Sequence, residues 1–122
     1  MIEVKDIRKS FDGVEVLKGF SVPFEKGNVS LIIGQSGSGK TVFLKNLIGL
    51  LTPTSGQILY EGDNMVEFDY AEKQRLRSEI GVVFQGSALY DTMNILENVK
   101  FPLEMFSDMS NTDIKKRARE VL

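Results

Sequence analysis

The sequence predicts an α/β fold, a mostly parallel central sheet with a small antiparallel β subdomain at its N-terminus, and three observations carry that expectation. Residues 29–33 and 80–84 are nearly continuous apolar runs, the character of strands buried on both faces. A glycine-rich loop follows the first run directly, and a helical repeat begins at Lys40. Ahead of both, the first thirty residues alternate apolar and polar side chains at period two, as half-buried strands do.

In chain order, Ile2 and Val4 alternate with polar neighbours, Asp12-Gly13 is a turn signal, and Phe20, Val22 and Phe24 repeat at every second position. These make the antiparallel subdomain. Lys26-Gly27 turns the chain into the first buried-type strand at 29–33. From Lys40, the residues Phe43, Leu44, Leu47, Ile48 and Leu51 fall on one helical face, with Gly49 a weak point inside and Pro53 just beyond the end. Thr54-Ser55-Gly56 turns into a short strand at 57–60, which Glu61-Gly62-Asp63-Asn64 closes as a hairpin. Residues 70–77 read as a polar, solvated helix, and 80–84 as the second buried strand. A short helical segment starts near Ile95 and a last helix near Ser110, where Ser110 and Asp113 form a capping-box start.

Composition narrows the chemistry. With 42% hydrophobic and 26% charged residues over 122 positions, the chain is one globular domain or part of one. Fifteen basic against seventeen acidic residues leave a formal charge of −2, so a polyanion-binding surface, and with it nucleic acid, is not expected. The absence of cysteine and histidine leaves Lys, carboxylates, amides, hydroxyls and backbone groups to do any chemistry. No run approaches the roughly 18 to 20 apolar residues of a membrane span, and Glu3, Lys5 and Asp6 interrupt what would be a secretory core. The expectation is a cytoplasmic protein.

The chemistry-bearing motif is Gly34-Gln35-Ser36-Gly37-Ser38-Gly39-Lys40-Thr41, which fits the Walker A pattern of a P-loop. Its glycines let several N–H groups turn inward on a phosphate, and the helix that follows adds the positive end of its dipole. Lys40 is placed to reach the β- and γ-phosphates and Thr41 to ligate Mg²⁺. The expected nucleotide-binding set runs through the next position, Val42. The fold class is therefore a partial P-loop NTPase core joined to the antiparallel subdomain.

Outside the loop, the chain resembles the ABC ATPase family at several separated points. Leu50-Leu51-Thr52-Pro53-Thr54-Ser55-Gly56-Gln57-Ile58, then Gly62 and Asp63, look like the segment after that family's P-loop helix. Ile80-Gly81-Val82-Val83-Phe84-Gln85 is similar to its Q-loop strand, which gives Gln85 a catalytic role beside Lys40, at the metal and attacking water. Phe11 stands where that family has an aromatic stacked on adenine. Ser87-Ala88-Leu89-Tyr90-Asp91, Glu97-Asn98-Val99 and Phe101-Pro102-Leu103 look most like ATPases of bacterial phospholipid-trafficking importers.

The resemblance implies ATP and Mg²⁺ as ligands, ATP hydrolysis that powers transport in the intact parent, an integral permease as partner, and a second ATPase subunit in a homodimer. It places the parent on the inner face of the plasma membrane. Residues 1–122 would be the N-terminal part of the ATP-binding domain, ending before the signature motif and the second acidic strand, and inactive in hydrolysis alone. Rival readings are a phosphate-binding module without catalysis, a soluble P-loop ATPase, or a kinase. Phe11 also reads as a plain apolar anchor and Gln85 as a polar strand end. Lys115, Lys116, Arg117 and Arg119 read as the solvated face of a helix whose other face carries Ile114, Ala118, Val121 and Leu122.

Overall fold

The computed structural model describes residues 1–84, 86 and 88–122, in two compact units, Met1–Gly81 and Val82–Leu122. In the first, β1 (Ile2–Phe11), β2 (Val14–Phe24), β3 (Ser55–Tyr60) and β4 (Asp63–Asn64) form one sheet in the order β2-β1-β3-β4. Every pairing in it is antiparallel. Asp12-Gly13 and Glu61-Gly62 each close a two-residue hairpin with both φ angles positive, at 47° and 81° and at 50° and 101°. That backbone matches the twist of the flanking strands, and glycine at the second position makes it inexpensive.

A bulge resets the inward face of β1. Period two would carry the pattern from Val4 to Asp6, but Asp6 takes φ 42° and the register shifts between Val4 and Ile7. Ile7 is thereby turned fully inward. Gly56 makes room for the bulge: at φ +93°, any Cβ there would lie 2.3 Å from the Asp6 carbonyl oxygen. Val4, Ile7, Leu17, Phe43, Ile58 and Met65 form the core.

Helix α1 (Lys40–Leu47) is fastened to β2 by Phe43, whose ring meets Phe20 edge-on at 4.9 Å and Phe24 at 6.2 Å. This helix is shorter than its apolar repeat suggests. Gly49 takes φ 70° and stands beyond the helix, where a left-handed residue ends the ladder, so it terminates α1 rather than weakening its interior. The buried face is also narrower than expected: Leu44 is 46% exposed, whereas Asn46 is buried and donates from Nδ2 to the Val42 carbonyl.

Tyr60 on β3 locks the far end of α1 by donating its hydroxyl to the Leu47 carbonyl. Burial pushes its pKa up to about 12. The neutral phenol is favoured in the folded state, so its contribution is complete below the ordinary value of about 10 and is lost as pH rises through about 12. Tyr60→Phe should cost ~1 kcal/mol at neutral pH. Denaturant melts of both proteins between neutral pH and the alkaline limit should show the difference shrinking across that window.

Two expectations fail. Residues 29–33 and 80–84 form no strand, and no parallel pairing exists among the described residues. Val29, Leu31, Ile33 and Val83 are 100%, 82%, 85% and 97% exposed. A strand buried on both faces exists only through ladders to its neighbours and layers above and below it, and the described residues supply neither to these runs. A cleft of about 310 Å³ remains between Leu31 and Ile33 and the side chains of Phe20, Val22 and Phe24 on β2.

Helix α2 (Tyr70–Ser78) is solvated as expected, with no buried residue and a capping box between Asp69 and Glu72. In the second unit, α3 (Ile95–Phe106) starts on an Asn94–Glu97 capping box and α4 (Asn111–Val121) on Ser110. Ser110 accepts from the Asp113 amide and donates to its carboxylate, a one-sided version of the expected box. Ile114 and Ala118 are buried, while Val121 and Leu122, from the same stripe, are exposed.

Candidate functional site

The glycine-rich loop is built by sterics before it is built by charge. Gly37 and Gly39 adopt φ 79° and 94°, a region open to glycine and strained for other residues. A Cβ on Gly39 would lie 3.1 Å from Val16 Cγ1 and 3.3 Å from the Val16 carbonyl, so glycine also lets the loop press against β2. At Gly34 a Cβ would meet the Ser38 hydroxyl at 2.6 Å. The Ser38 amide closes a turn onto the Gln35 carbonyl at 3.2 Å, with Ser36 and Gly37 at its exposed tip.

Lys40 bends back over this turn, donating from Nζ to the Gly34 and Gln35 carbonyls, each at 2.7 Å. An ammonium has three donors, so two hold the side chain in place and one remains for an anion. Helix α1 begins here with Gly39 as N-cap, which has no side chain to satisfy the first amides, and no acidic residue stands in the first turn. The amides of Lys40, Thr41 and Val42 precede the first amide with an intrahelical partner, that of Phe43, which donates to the Gly39 carbonyl at 2.8 Å, so they lie open at the positive end of the helix dipole. Val42 belongs to the set through its amide alone, since its side chain packs against the core. Thr41 is exposed at the helix start, where its hydroxyl is accessible to a cation. One fixed cation and several unpaired amides suit a phosphate chain, and the glycine cradle that a Cβ would fill suits close approach of that chain to the backbone.

Phe11 stands at the end of β1, opposite Val14, and is 41% exposed. Val14 lies two to three residues before the Val16 and Leu17 side chains that touch the loop, about 7–10 Å along the strand. The hairpin end that carries Phe11 therefore lies a few residues along β2 from the side chains that touch the loop. Lys9, unremarked in the sequence, sits over the Phe11 ring with Nζ 5.0 Å from its centroid and donates to the Thr52 carbonyl. Its i, i+2 relation to Phe11 on a strand was the available signal. Gln85 lies outside the described residues.

A glycine loop between the sheet and a helix N-terminus, with its lysine drawn across it, defines the class of P-loop nucleotide-binding proteins. Family comparison narrows this, for residues 17–122 match the ABC transporter family. The chain belongs to that family. It is 39% identical over 121 residues to the probable ribonucleotide transport ATP-binding protein mkl of Mycobacterium leprae, covering 99% of this chain and 35% of that protein. It is 38% identical to the cell division ATP-binding protein FtsE of Bacillus subtilis, covering all of this chain and 54% of FtsE. Among solved structures, the ABC transporter cassette MJ0796, dimeric and bound to ADP and Pi, matches with a TM-score of 0.85 at 31% identity, over 98% of this chain and 55% of that one. The chain therefore spans about a third to a half of the length of these proteins. The fold class is shown by the likeness to such cassettes.

Proposed function

We propose that this chain binds the phosphates of ATP or ADP on the 34–41 loop, as part of an ATPase that drives transport across a membrane. The observation that carries this is the Lys40 ammonium, fixed by two loop carbonyls beside the uncapped start of α1. Bound ATP would supply a γ-phosphoryl group for transfer to water. Gly37 and Gly39 admit the phosphates, the amides of Gly39, Lys40, Thr41 and Val42 donate to them, and Lys40 neutralises their charge. Ser36 and Ser38 add hydroxyls at the loop, and Gln35 contributes its carbonyl to hold Lys40. Thr41 would hold Mg²⁺, Gln85 would orient the attacking water, and Phe11 would stack on adenine.

By family membership, the intact protein pairs with a membrane permease and a second ATPase subunit on the inner face of the plasma membrane. No helix among the described residues is long and apolar enough to cross a membrane. The segments 87–91, 97–99 and 101–103 support phospholipid as cargo. The names of the relatives, ribonucleotide transport and cell division, show how widely function ranges among such cassettes.

Titration calorimetry with ADP, with and without Mg²⁺, tests the binding site. Thr41→Val keeps the volume and removes the oxygen, so the tightening that Mg²⁺ gives should fall about tenfold while metal-free affinity stays the same. Equal Mg²⁺ dependence in both proteins would remove Thr41 from the site.

A further inference from the structure

Lys9 is tied at two points of the structure that the phosphate site does not use. Its ammonium sits 5.0 Å from the Phe11 centroid, within the range of a cation–π contact. The same nitrogen donates at 2.8 Å to the Thr52 carbonyl, in the loop that follows α1. That loop is stitched to β1 on both sides of Lys9, because the Thr54 amide donates to the Arg8 carbonyl at 2.8 Å and the Ser10 amide to the Thr54 hydroxyl at 3.0 Å. The lysine head is therefore held at a fixed place over the ring. With the ammonium over one ring face and Phe11 41% exposed, the opposite face is the one left for a flat ligand to stack on.

We infer that Lys9 is a positioning residue for base recognition: anchored on Thr52, it covers one face of Phe11 and orients the other toward the purine of the bound nucleotide. This rests on Phe11 being the base-stacking residue. An aromatic at a hairpin end rotates about two side-chain torsions, and a base stacked on it forfeits affinity to every orientation that does not face the site. A cation on the far face favours one orientation, and it also draws electron density away from the face that meets the base. The effect is specific to ligands that carry a base. A bare phosphate chain bound at Lys40 does not sense it.

The experiment compares ADP with inorganic pyrophosphate by titration calorimetry, using the full chain, Phe11→Ala, Lys9→Met, Lys9→Arg and the Phe11→Ala/Lys9→Met pair. Phe11→Ala should weaken ADP about tenfold, as loss of a base–aromatic stack does, and leave pyrophosphate unchanged. Lys9→Met keeps the aliphatic stem and should weaken ADP about threefold, again without effect on pyrophosphate. Lys9→Arg should restore most of the loss, and Lys9→Met should add nothing once Phe11 is alanine. If Phe11→Ala weakens ADP while Lys9→Met does not, or if Lys9→Met weakens pyrophosphate equally or adds fully to Phe11→Ala, the positioning role is overturned and the stack stands. Unchanged ADP affinity in Phe11→Ala would instead overturn base stacking, and the role of Lys9 with it.

Discussion

Lys40→Ala should weaken ADP binding by roughly ten- to a hundredfold, the loss of a hydrogen bond to a charged partner in a partly enclosed site. Two effects act in the same direction. The variant lacks the ammonium that neutralises the phosphates, and it lacks the bridge from Nζ to the Gly34 and Gln35 carbonyls that keeps the turn closed. Lys40→Arg separates them: charge is kept, but a planar guanidinium does not reproduce a point donor seated on two carbonyls, so affinity should recover only in part. The core around Phe43 is untouched by either change, so melting curves should match the parent within a small margin. Calorimetric titration with ADP is the measurement. Equal affinity in folded Lys40→Ala and parent samples would refute the phosphate site.

The 122-residue chain should release phosphate from saturating Mg·ATP at a rate near that of buffer. Hydrolysis needs an oriented water, a well-held metal and charge stabilisation in the transition state, and removing one preorganised contact costs about 10²- to 10³-fold. A loop suited to phosphates is one part of such a site, and the sequence carries no second apolar strand ending in an aspartate followed by a glutamate. Glu61, an acidic residue after a short apolar run, is committed elsewhere. It sits in the β3–β4 hairpin, paired with the N-terminal ammonium of Met1, which lowers its pKa below the usual carboxylate range. Such effects do not add simply, and the expected rate is near background. Lys40→Ala run in parallel controls for a contaminating ATPase. Robust turnover that vanishes in the variant would mean that a carboxylate such as Asp63 or Asp91 completes the site.

Local chemistry made much of the first unit legible. Asp12-Gly13 and Glu61-Gly62 prescribe their turns through backbone angles that few other pairs adopt cheaply, so both hairpins follow from four residues. The P-loop was equally plain, because glycines at φ 79° and 94° are needed whatever surrounds them. In the second unit, Ser110 with Asp113 marks the start of α4 by hydrogen bonds within four residues. Asp6 was not legible, since a bulge depends on which strand lies opposite, here β3 with Gly56.

The nucleotide loop and the β1–β2 and β3–β4 hairpins were written in the sequence, because each rests on interactions among near neighbours in the chain, and the family was legible in its local motifs. Tertiary structure alone decided three things. It ended α1 at Leu47, where Tyr60 from β3 takes the carbonyl and Gly49 turns left-handed, although the apolar repeat runs on to Leu51. It set Lys9 on Phe11 through Thr52, a residue 43 positions away. It also left 29–33 and 80–84 without ladders, since an apolar run has the composition of a buried strand but acquires the structure of one only from partners on either side.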